Sequence, residues 1–127
     1  MGRLALDSDS LIAIFKESDK HHETIIKRLS LRPEKLVLST VALSESLVHV
    51  YIVGRGQEMK LLIMNMVDEL VDVDHEIASY AAQLRATNNL KLGDALISAT
   101  AILHKCTLLT FDEKLARKTP GAELLVS

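Results

Sequence analysis

Four acidic residues stand in stretches of this chain that contain few or no basic residues. Asp7 and Asp112 come just after short apolar runs, Asp94 precedes a long uncharged run, and Glu45 is the single acid of another apolar segment. A carboxylate buried without a partner is costly, so such acids are usually paired, hydrogen-bonded or bound to a cation. Carboxylate oxygens are the ligands that hard divalent cations such as Mg²⁺ and Mn²⁺ prefer. These residue types therefore indicate an oxygen-ligand metal site.

Helix capping is the alternative explanation for several of the acids. Asp9, Asp94 and Asp112 each occupy a position where a helix N-cap is expected, and for any one of them alone capping is the better explanation. Glu45 has no comparable local role, because on a helix it shares an apolar stripe with residues three, four and seven positions away. The convergence of several acids favours the metal site. The five histidines match no zinc-binding spacing.

The elements that must position these acids alternate between short apolar strands and helices. The stretch from Lys91 to Lys114 is the clearest example, with a helix too apolar to have a water-facing side (Ala95 to His104) and a buried strand (Thr107 to Thr110). Further strands are predicted near residues 3–6, 36–38, 71–73 and 123–126, and further helices near 11–15, 21–31, 41–53, 57–70, 75–87 and 113–118. On the 57–70 helix, Leu61, Leu62, Met64 and Met66 are expected to supply core.

This alternation predicts an α/β fold with three layers, α/β/α, around a central parallel sheet of four to five short strands. In such sheets, ligands bind outside the carboxyl ends of the strands, where the strand order reverses. Asp7 and Asp112 both follow strands and should therefore meet at that edge.

Composition narrows the class of protein. The chain has 127 residues, of which 48% are hydrophobic and 25% charged, and this favours one globular domain over residues 1–127. A formal net charge of −2 disfavours a protein that coats nucleic acid by bulk charge. The single cysteine, the absence of an apolar run long enough for a membrane helix and the absence of a signal-peptide pattern make a cytoplasmic setting the expectation.

At four places the sequence resembles PIN-domain ribonucleases, and most of all the VapC-type toxins of VapBC toxin–antitoxin pairs. The resemblance rests on LALDSDSLIAIF with Asp7, LSTVALSESL with Glu45, LGDALISATAILH with Asp94 and TLLTFDEKLAR with Asp112. It implies a PIN-like fold in which these four acids bind Mg²⁺ or Mn²⁺ and RNA is cut by hydrolysis. The metal would act as a Lewis acid and lower the pKa of the attacking water.

The resemblance also assigns accessory positions and partners. Ser8 and Thr110 match polar positions near the site, whereas Asp9 departs from the Asn, Ser or Thr that is more usual there. The family implies a homodimer and a cognate antitoxin protein. Five apolar residues of the first half could form the antitoxin groove or simply the core: Leu11, Ile14, Phe15, Leu47 and Tyr51. Four basic residues could form a rim for RNA: Arg85, Lys91, Arg117 and Lys118.

Other functions remain open from the sequence. A haloacid-dehalogenase-type phosphatase would use Asp7 as nucleophile and Asp9 as acid/base, but the chain is short for that fold and Glu45 and Asp112 would have no role. A phospho-receiver module would need a phosphorylatable Asp after a central strand, and none occurs from residue 20 to 67. A PIN nuclease of RNA processing, and a catalytically inactive binding domain, are the remaining alternatives.

Overall fold

A computed structural model of the chain describes residues 2–127 and contains one parallel sheet of five strands. The strands are β1 (Arg3–Leu6), β2 (Lys35–Ser39), β3 (Glu69–Val71), β4 (Thr107–Thr110) and β5 (Glu123–Leu124). Their order across the sheet is β3-β2-β1-β4-β5, and every neighbouring pair is parallel. The predicted α/β/α fold with a central parallel sheet is confirmed.

Seven helices connect the strands. They are α1 (Ser8–Phe15), α2 (His22–Ser30), α3 (Thr40–Ile52), α4 (Gly56–Met66), α5 (His75–Thr87), α6 (Leu92–Leu103) and α7 (Glu113–Lys118). None of the helices described within residues 2–127 is long and apolar enough to cross a membrane.

The strand order reverses between β1 and β4, which lie side by side with Leu4 opposite Thr107 and Leu6 opposite Leu109. Successive strands run outwards from β1 to β3 in one direction, and the chain then returns to the other side of β1. Two neighbouring parallel strands whose connections leave in opposite directions open a crevice at their carboxyl ends. Asp7 follows β1 and Asp112 follows β4, so both lie at this crevice.

The core lies on both faces of the central strands. Leu4, Leu36, Leu38, Leu108 and Leu109 are almost completely buried. Helix α6 has no exposed residue from position 95 to position 102, which confirms the prediction of a helix without a water-facing side. Such near-continuous apolar strands, and a helix enclosed along most of its length, are what a sheet covered on both faces requires.

Within residues 2–127, four helices begin at a residue whose side chain accepts a hydrogen bond from the first turn, and the cap expected at Asp112 is confirmed. Asp7 caps α1 and Asp112 caps α7, and Asp74 and Ser39 cap α5 and α3. The predicted capping role of Asp9 is wrong, because α1 begins at Ser8 and places Asp9 inside its first turn.

The capping alternative for Asp94 is also wrong. Helix α6 begins at Leu92, two residues before Asp94, and its N-cap residue Lys91 makes no side-chain capping bond. Asp94 is therefore a residue of the first helical turn, where its carboxylate is free to point away from the helix backbone. The explanation that competed with a metal site does not apply to this acid.

The segment around α4 is the main departure from the predicted elements. The helix ends at Met66 rather than Leu70, and β3 lies at Glu69–Val71 rather than at 71–73. Ile63 is the buried apolar side chain of α4, and Met59 and Met66 pack beside it at helical spacing. The expectation that Leu61, Leu62 and Met64 supply core is wrong, because they lie off this stripe and are 57%, 48% and 42% exposed.

Candidate active site

A cavity of about 280 Å³ lies at the carboxyl ends of β1 and β4 and brings the four predicted acids together. Asp7 comes from the junction of β1 and α1, Glu45 from α3, Asp94 from α6, and Asp112 from the junction of β4 and α7. The rest of the lining consists of Ser8, Asp9, Ile12 and Lys91. Residues more than a hundred positions apart in the chain thus share one polar cleft.

Asp7 is the buried member of the group, with only 5% of its surface exposed. One carboxylate oxygen accepts a hydrogen bond from the backbone N–H of Ser10 at 2.9 Å, and the other accepts from the Thr110 hydroxyl at 2.5 Å. Burial nevertheless raises the pKa of Asp7 above its ordinary value, although these hydrogen bonds act in the opposite direction. The fold therefore holds this carboxylate in a fixed orientation at an electrostatic cost.

Thr110 links two of the acids. Its hydroxyl donates to Asp7 and its oxygen accepts a hydrogen bond from the backbone N–H of Asp112 at 3.0 Å. The Asp112 carboxylate accepts in turn from the backbone N–H of Leu115 at 3.0 Å, which leaves its second oxygen available. Thr110, at the end of β4, thus fixes the orientation of Asp7 and also the turn that carries Asp112.

Glu45 reaches the cavity from α3 with its carboxylate exposed. The apolar stripe that it shares on α3 is largely exposed, since Val48 and Ile52 are 59% and 76% exposed. Its carboxylate accepts a hydrogen bond from the Ser8 hydroxyl at 2.5 Å. It also occupies the space into which a Cβ atom on Gly93 would project, so a glycine at that position allows α3 and α6 to bring their acids together.

Asp94 is half-buried and lies among the charges of the other three acids. Burial raises the pKa of its carboxyl group, and the charges of Asp112, Glu45 and Asp7 raise it further, against a smaller opposite effect of Lys91. Within residues 2–127, no Lys, Arg or His forms an ion pair within 4.0 Å with any of the four acids. Burial and the crowding of carboxylates without a basic partner thus both disfavour the charged form of Asp94.

The donor set fits a hard divalent cation. All four acids offer oxygen ligands, and Asp94 makes no side-chain hydrogen bond within the described part of the chain. In their present positions, no three His, Cys, Asp or Glu side chains among residues 2–127 form a ready-made chelating group. Glu45 and Asp112 are exposed, so rotation of their side chains can bring further oxygens to a point shared with Asp7 and Asp94.

Comparison with known proteins agrees with this architecture. The family profile of the PIN domain matches residues 4–119, so the chain belongs to the PIN domain family. A toxin–antitoxin complex from Klebsiella pneumoniae is similar in structure, with a TM-score of 0.79, 26% sequence identity, and coverage of 94% of this chain and 95% of that one. A search of curated protein sequences found no match.

Two further solved structures share the fold. FitAcB from Neisseria gonorrhoeae has a TM-score of 0.76 and 21% identity, and covers 95% of this chain and 96% of its own. Mycobacterium tuberculosis VapC20, described as a toxin that cleaves the sarcin–ricin loop, has a TM-score of 0.76 and 16% identity, with coverage of 90% and 93%. The resemblance to PIN toxins that the sequence motifs indicated is confirmed at the level of family and fold.

Sequence reasoning missed Ile12, which lines this cavity, and Gly93, which leaves room for the Glu45 carboxylate beside it. Gly93 could have been noticed because glycine is a poor helix former in the first turn of an otherwise strongly helical segment. Ile12 gives no signal, since an isoleucine in an amphipathic helix is ordinarily core. Of the four basic residues considered for an RNA rim, Lys91 is the one that lines this cavity, and Arg85 instead donates to the backbone carbonyl of Leu90 at 3.2 Å.

Proposed function

We propose that this chain is a metal-dependent endoribonuclease and the toxin of a toxin–antitoxin pair. The observation that carries the proposal is the convergence of four acids from four separate parts of the chain, without an ion-pair partner, at the switch point of a parallel sheet. Membership of the PIN family and the likeness to a bacterial toxin–antitoxin complex support it.

Asp7, Glu45, Asp94 and Asp112 would hold Mg²⁺ or Mn²⁺. A bound ion of this kind supplies Lewis-acid polarisation of the phosphate and lowers the pKa of the attacking water. The raised pKa values of Asp7 and Asp94 support this assignment, because a cation is what would stabilise their charged forms.

The remaining side chains position these groups. Thr110 holds Asp7 and the turn of Asp112, and Ser8 orients Glu45, so both accessory hydroxyls act through the acids they contact. Lys91 offers a cation at the rim for a phosphate of the RNA backbone.

A phosphatase mechanism with Asp7 as nucleophile has less support. Both carboxylate oxygens of Asp7 accept hydrogen bonds from the protein, and its side chain is buried at the base of the cavity. A phosphatase of this kind would also leave Glu45 and Asp112 without a role, although both line the same cavity.

The groove for an antitoxin would lie beside the acidic cavity. A second cavity of about 440 Å³ between α1, α3 and α4 is mainly apolar and shares Ile12 and Glu45 with the first. Leu11 and Phe15 line it, as expected for the groove, whereas Ile14 and Leu47 belong to the core side and Tyr51 lies outside it. An apolar segment laid in this groove would end at the acids and block them.

A homodimer would bury the exposed apolar side chains of α3 and α4. Six large ones are about half exposed or more: Val48, Tyr51, Ile52, Val53, Leu61 and Leu62. Exposed apolar residues in this number on two packed helices are typical of an interaction surface.

The test is cleavage of a mixed RNA pool by purified protein with Mn²⁺ or Mg²⁺, with a chelator, and by the Asp94→Asn variant. We expect cutting that requires the metal and that falls at least about 100-fold in the variant, since removing one group that stabilises transition-state charge has effects of that order. Asp72→Asn is the matched control, because Asp72 is exposed and lies outside the cavity.

Two other outcomes are informative. Hydrolysis of a simple phosphomonoester with RNA left intact would replace the nuclease by the phosphatase. Equal cutting by wild type and Asp94→Asn would remove this cavity as the active site.

A further inference from the structure

A third cavity, of about 380 Å³, adjoins the acidic cavity and contains an aromatic stack. It shares Asp9, Ile12 and Asp112 with the acidic cavity. Its other side is formed by His21 and Phe111, whose rings lie face to face with centroids 3.9 Å apart and planes 15° apart. The chain has only four aromatic residues apart from histidine, so a stacked pair beside the acids is a specific feature.

His21 is held by one contact at its ring and another at its backbone. Its Nδ1 lies 2.6 Å from the Ser127 hydroxyl, and the backbone N–H of His21 donates to the Asp19 carboxylate at 2.8 Å. Phe111 packs partly against the core. The two rings cover each other's inner faces, so the pair is a preorganised aromatic wall whose outer face is the stacking surface, and ordering it would cost little when a ligand arrives.

The polar groups of this cavity are chiefly acceptors. Asp9 and Asp19 both line it, and Lys20 is the single cation of its lining. Asp19 uses one oxygen for the His21 backbone, which leaves the other free, and Asp9 makes no side-chain hydrogen bond within the described residues. Two carboxylates repel a phosphate but accept hydrogen bonds from N–H groups.

We propose that this cavity binds an unpaired nucleobase of the RNA next to the scissile phosphate, stacked on the His21–Phe111 pair and read through its N–H donors by Asp9 and Asp19. The inference rests on the proposed nuclease function, because it uses the acidic cavity as the place where the neighbouring phosphate lies.

A base in a duplex has its faces covered, so an aromatic wall selects single-stranded RNA. Guanine presents two adjacent donors, N1–H and N2–H₂, to a carboxylate, whereas uracil presents one, so the subsite should favour guanine over uracil. The proposal also gives a role to Asp9, which does not cap α1 and lies on the boundary between the two cavities.

The test measures binding separately from cleavage. In the Asp94→Asn background, the affinity for two short fluorescent RNAs is measured by anisotropy in Mg²⁺ buffer; one is all uridine and the other has a single central guanosine. Adding His21→Leu should weaken binding of both RNAs by roughly 5- to 150-fold, the effect of losing one base–aromatic stack. His21→Phe keeps a ring for stacking and should restore most of the affinity.

Asp19→Asn tests whether this carboxylate makes the cavity prefer guanine over uracil. The asparagine oxygen can still accept from the His21 backbone, so the wall stays in place while the charged acceptor is lost. We expect the preference for the guanosine-containing RNA to disappear while binding of the all-uridine RNA changes little. His75→Leu is the control, because His75 is exposed at the start of α5 and lines neither cavity.

Cleavage in the otherwise wild-type background separates this proposal from the proposed function. Metal-dependent cutting by wild type, with KM raised and kcat nearly unchanged in His21→Leu, supports the subsite. Unchanged RNA binding and unchanged KM in both His21→Leu and Asp19→Asn would overturn the subsite and leave the nuclease standing. A wild-type protein that neither binds nor cuts RNA would overturn both.

Discussion

Acidic residues lie at both ends of the strands, which we call the amino edge and the carboxyl edge of the sheet. Their charges are paired with basic residues at the amino edge and are not paired at the carboxyl edge. At the amino edge, Glu69 at the start of β3 pairs with Arg3 at the start of β1, and Asp68 lies 3.5 Å from a nitrogen of Arg32. At the carboxyl edge, none of the four cavity acids has such a partner within the described chain. The acids at the amino edge thus form ion pairs that stabilise the fold, whereas the charges of the acids at the carboxyl edge remain uncompensated.

The pKa directions express the same difference. The backbone N–H of Leu36, and then the charge of Arg32, hold the pKa of Asp68 below its ordinary value. Burial, and then the neighbouring carboxylates, raise the pKa of Asp94. The amino edge therefore stabilises its negative charge, whereas the carboxyl edge carries a charge that a cation would relieve.

Among the changes that compare the two edges, Gly93→Ala is expected to have the largest effect. The new Cβ would meet the Glu45 carboxylate, which sits at the end of a flexible, exposed side chain and would move away. We expect RNA cleavage to fall roughly 10- to 100-fold, as for changes that misorient a metal-site ligand. The free energy of unfolding should stay the same or increase, because alanine is more favourable than glycine inside a helix by up to about 1 kcal/mol.

A double-mutant cycle with Glu45→Gln checks this reading. If Gly93→Ala acts through Glu45, it should cost little further activity in the Glu45→Gln background. Full additivity of the two losses would show that Gly93 acts on the site by another route.

Metal binding gives the next largest effect. Mg²⁺ or Mn²⁺ at a hundred times its Kd should stabilise the wild-type fold by about 2.7 kcal/mol, because a ligand that binds only the folded state shifts unfolding by mass action. The shift should shrink in Asp94→Asn and persist in Asp68→Asn, whose carboxyl lies at the amino edge. Urea denaturation with and without a chelator measures it, and an equal shift in both variants would place the ion elsewhere.

Most of the fold was predictable from the sequence because local and tertiary signals agree in the central elements. The α5 and α7 bounds follow from the capping residues Asp74 and Asp112, and β4 follows from an uncharged run of Thr and Leu. Helix α6 was predicted as enclosed because it has no polar face to give to water. These signals arise from residues that are close together in the sequence, so a single sequence is enough to show them.

The errors fall where the decisive contact is absent from the local pattern. The apolar residues of α4 were all interpreted as core. Burial there depends on which side of the helix faces α3 and the core, and Ile63 lies on that side while Leu61 and Leu62 do not. The membership of Glu45 in the site was predicted, but its exposure was not, because the stripe it shares is itself exposed. The His21–Phe111 stack joins residues ninety positions apart, and no spacing rule indicates it.

The pH dependence of stability should differ in sign between the two edges. The raised pKa of Asp94 means that its ionised form is penalised in the metal-free fold above the folded pKa, and that the penalty vanishes below the ordinary value of 3.8. Asp94→Asn should therefore stabilise the metal-free protein at neutral pH, with a gain that fades on acidification.

Asp68 should show the reverse behaviour. Its lowered pKa stabilises the fold at pH values above 3.8, and this stabilisation is lost as the pH falls through the folded pKa. Asp68→Asn should therefore destabilise at neutral pH and have no effect in acid. Urea denaturation of both variants across pH, with a chelator present, measures the two trends. If both variants changed the stability in the same direction at neutral pH, the proposed difference between the two edges would be wrong.

The smallest effect is expected from Glu69→Gln. This variant tests whether the ion pair at the amino edge influences the acids at the carboxyl edge. The Arg3–Glu69 pair reaches across β2, but its side chains are 33% and 44% exposed, so water and salt screen it. Its loss should cost no more than about 1 kcal/mol in urea denaturation and less at high salt. RNA cleavage should stay at the wild-type level, because β1 and β2 pair through backbone hydrogen bonds that the substitution leaves intact. A loss of cleavage out of proportion to this small change would mean that β1 transmits strain from Arg3 to Asp7, and the carboxyl-edge site would then depend on the pairing at the amino edge.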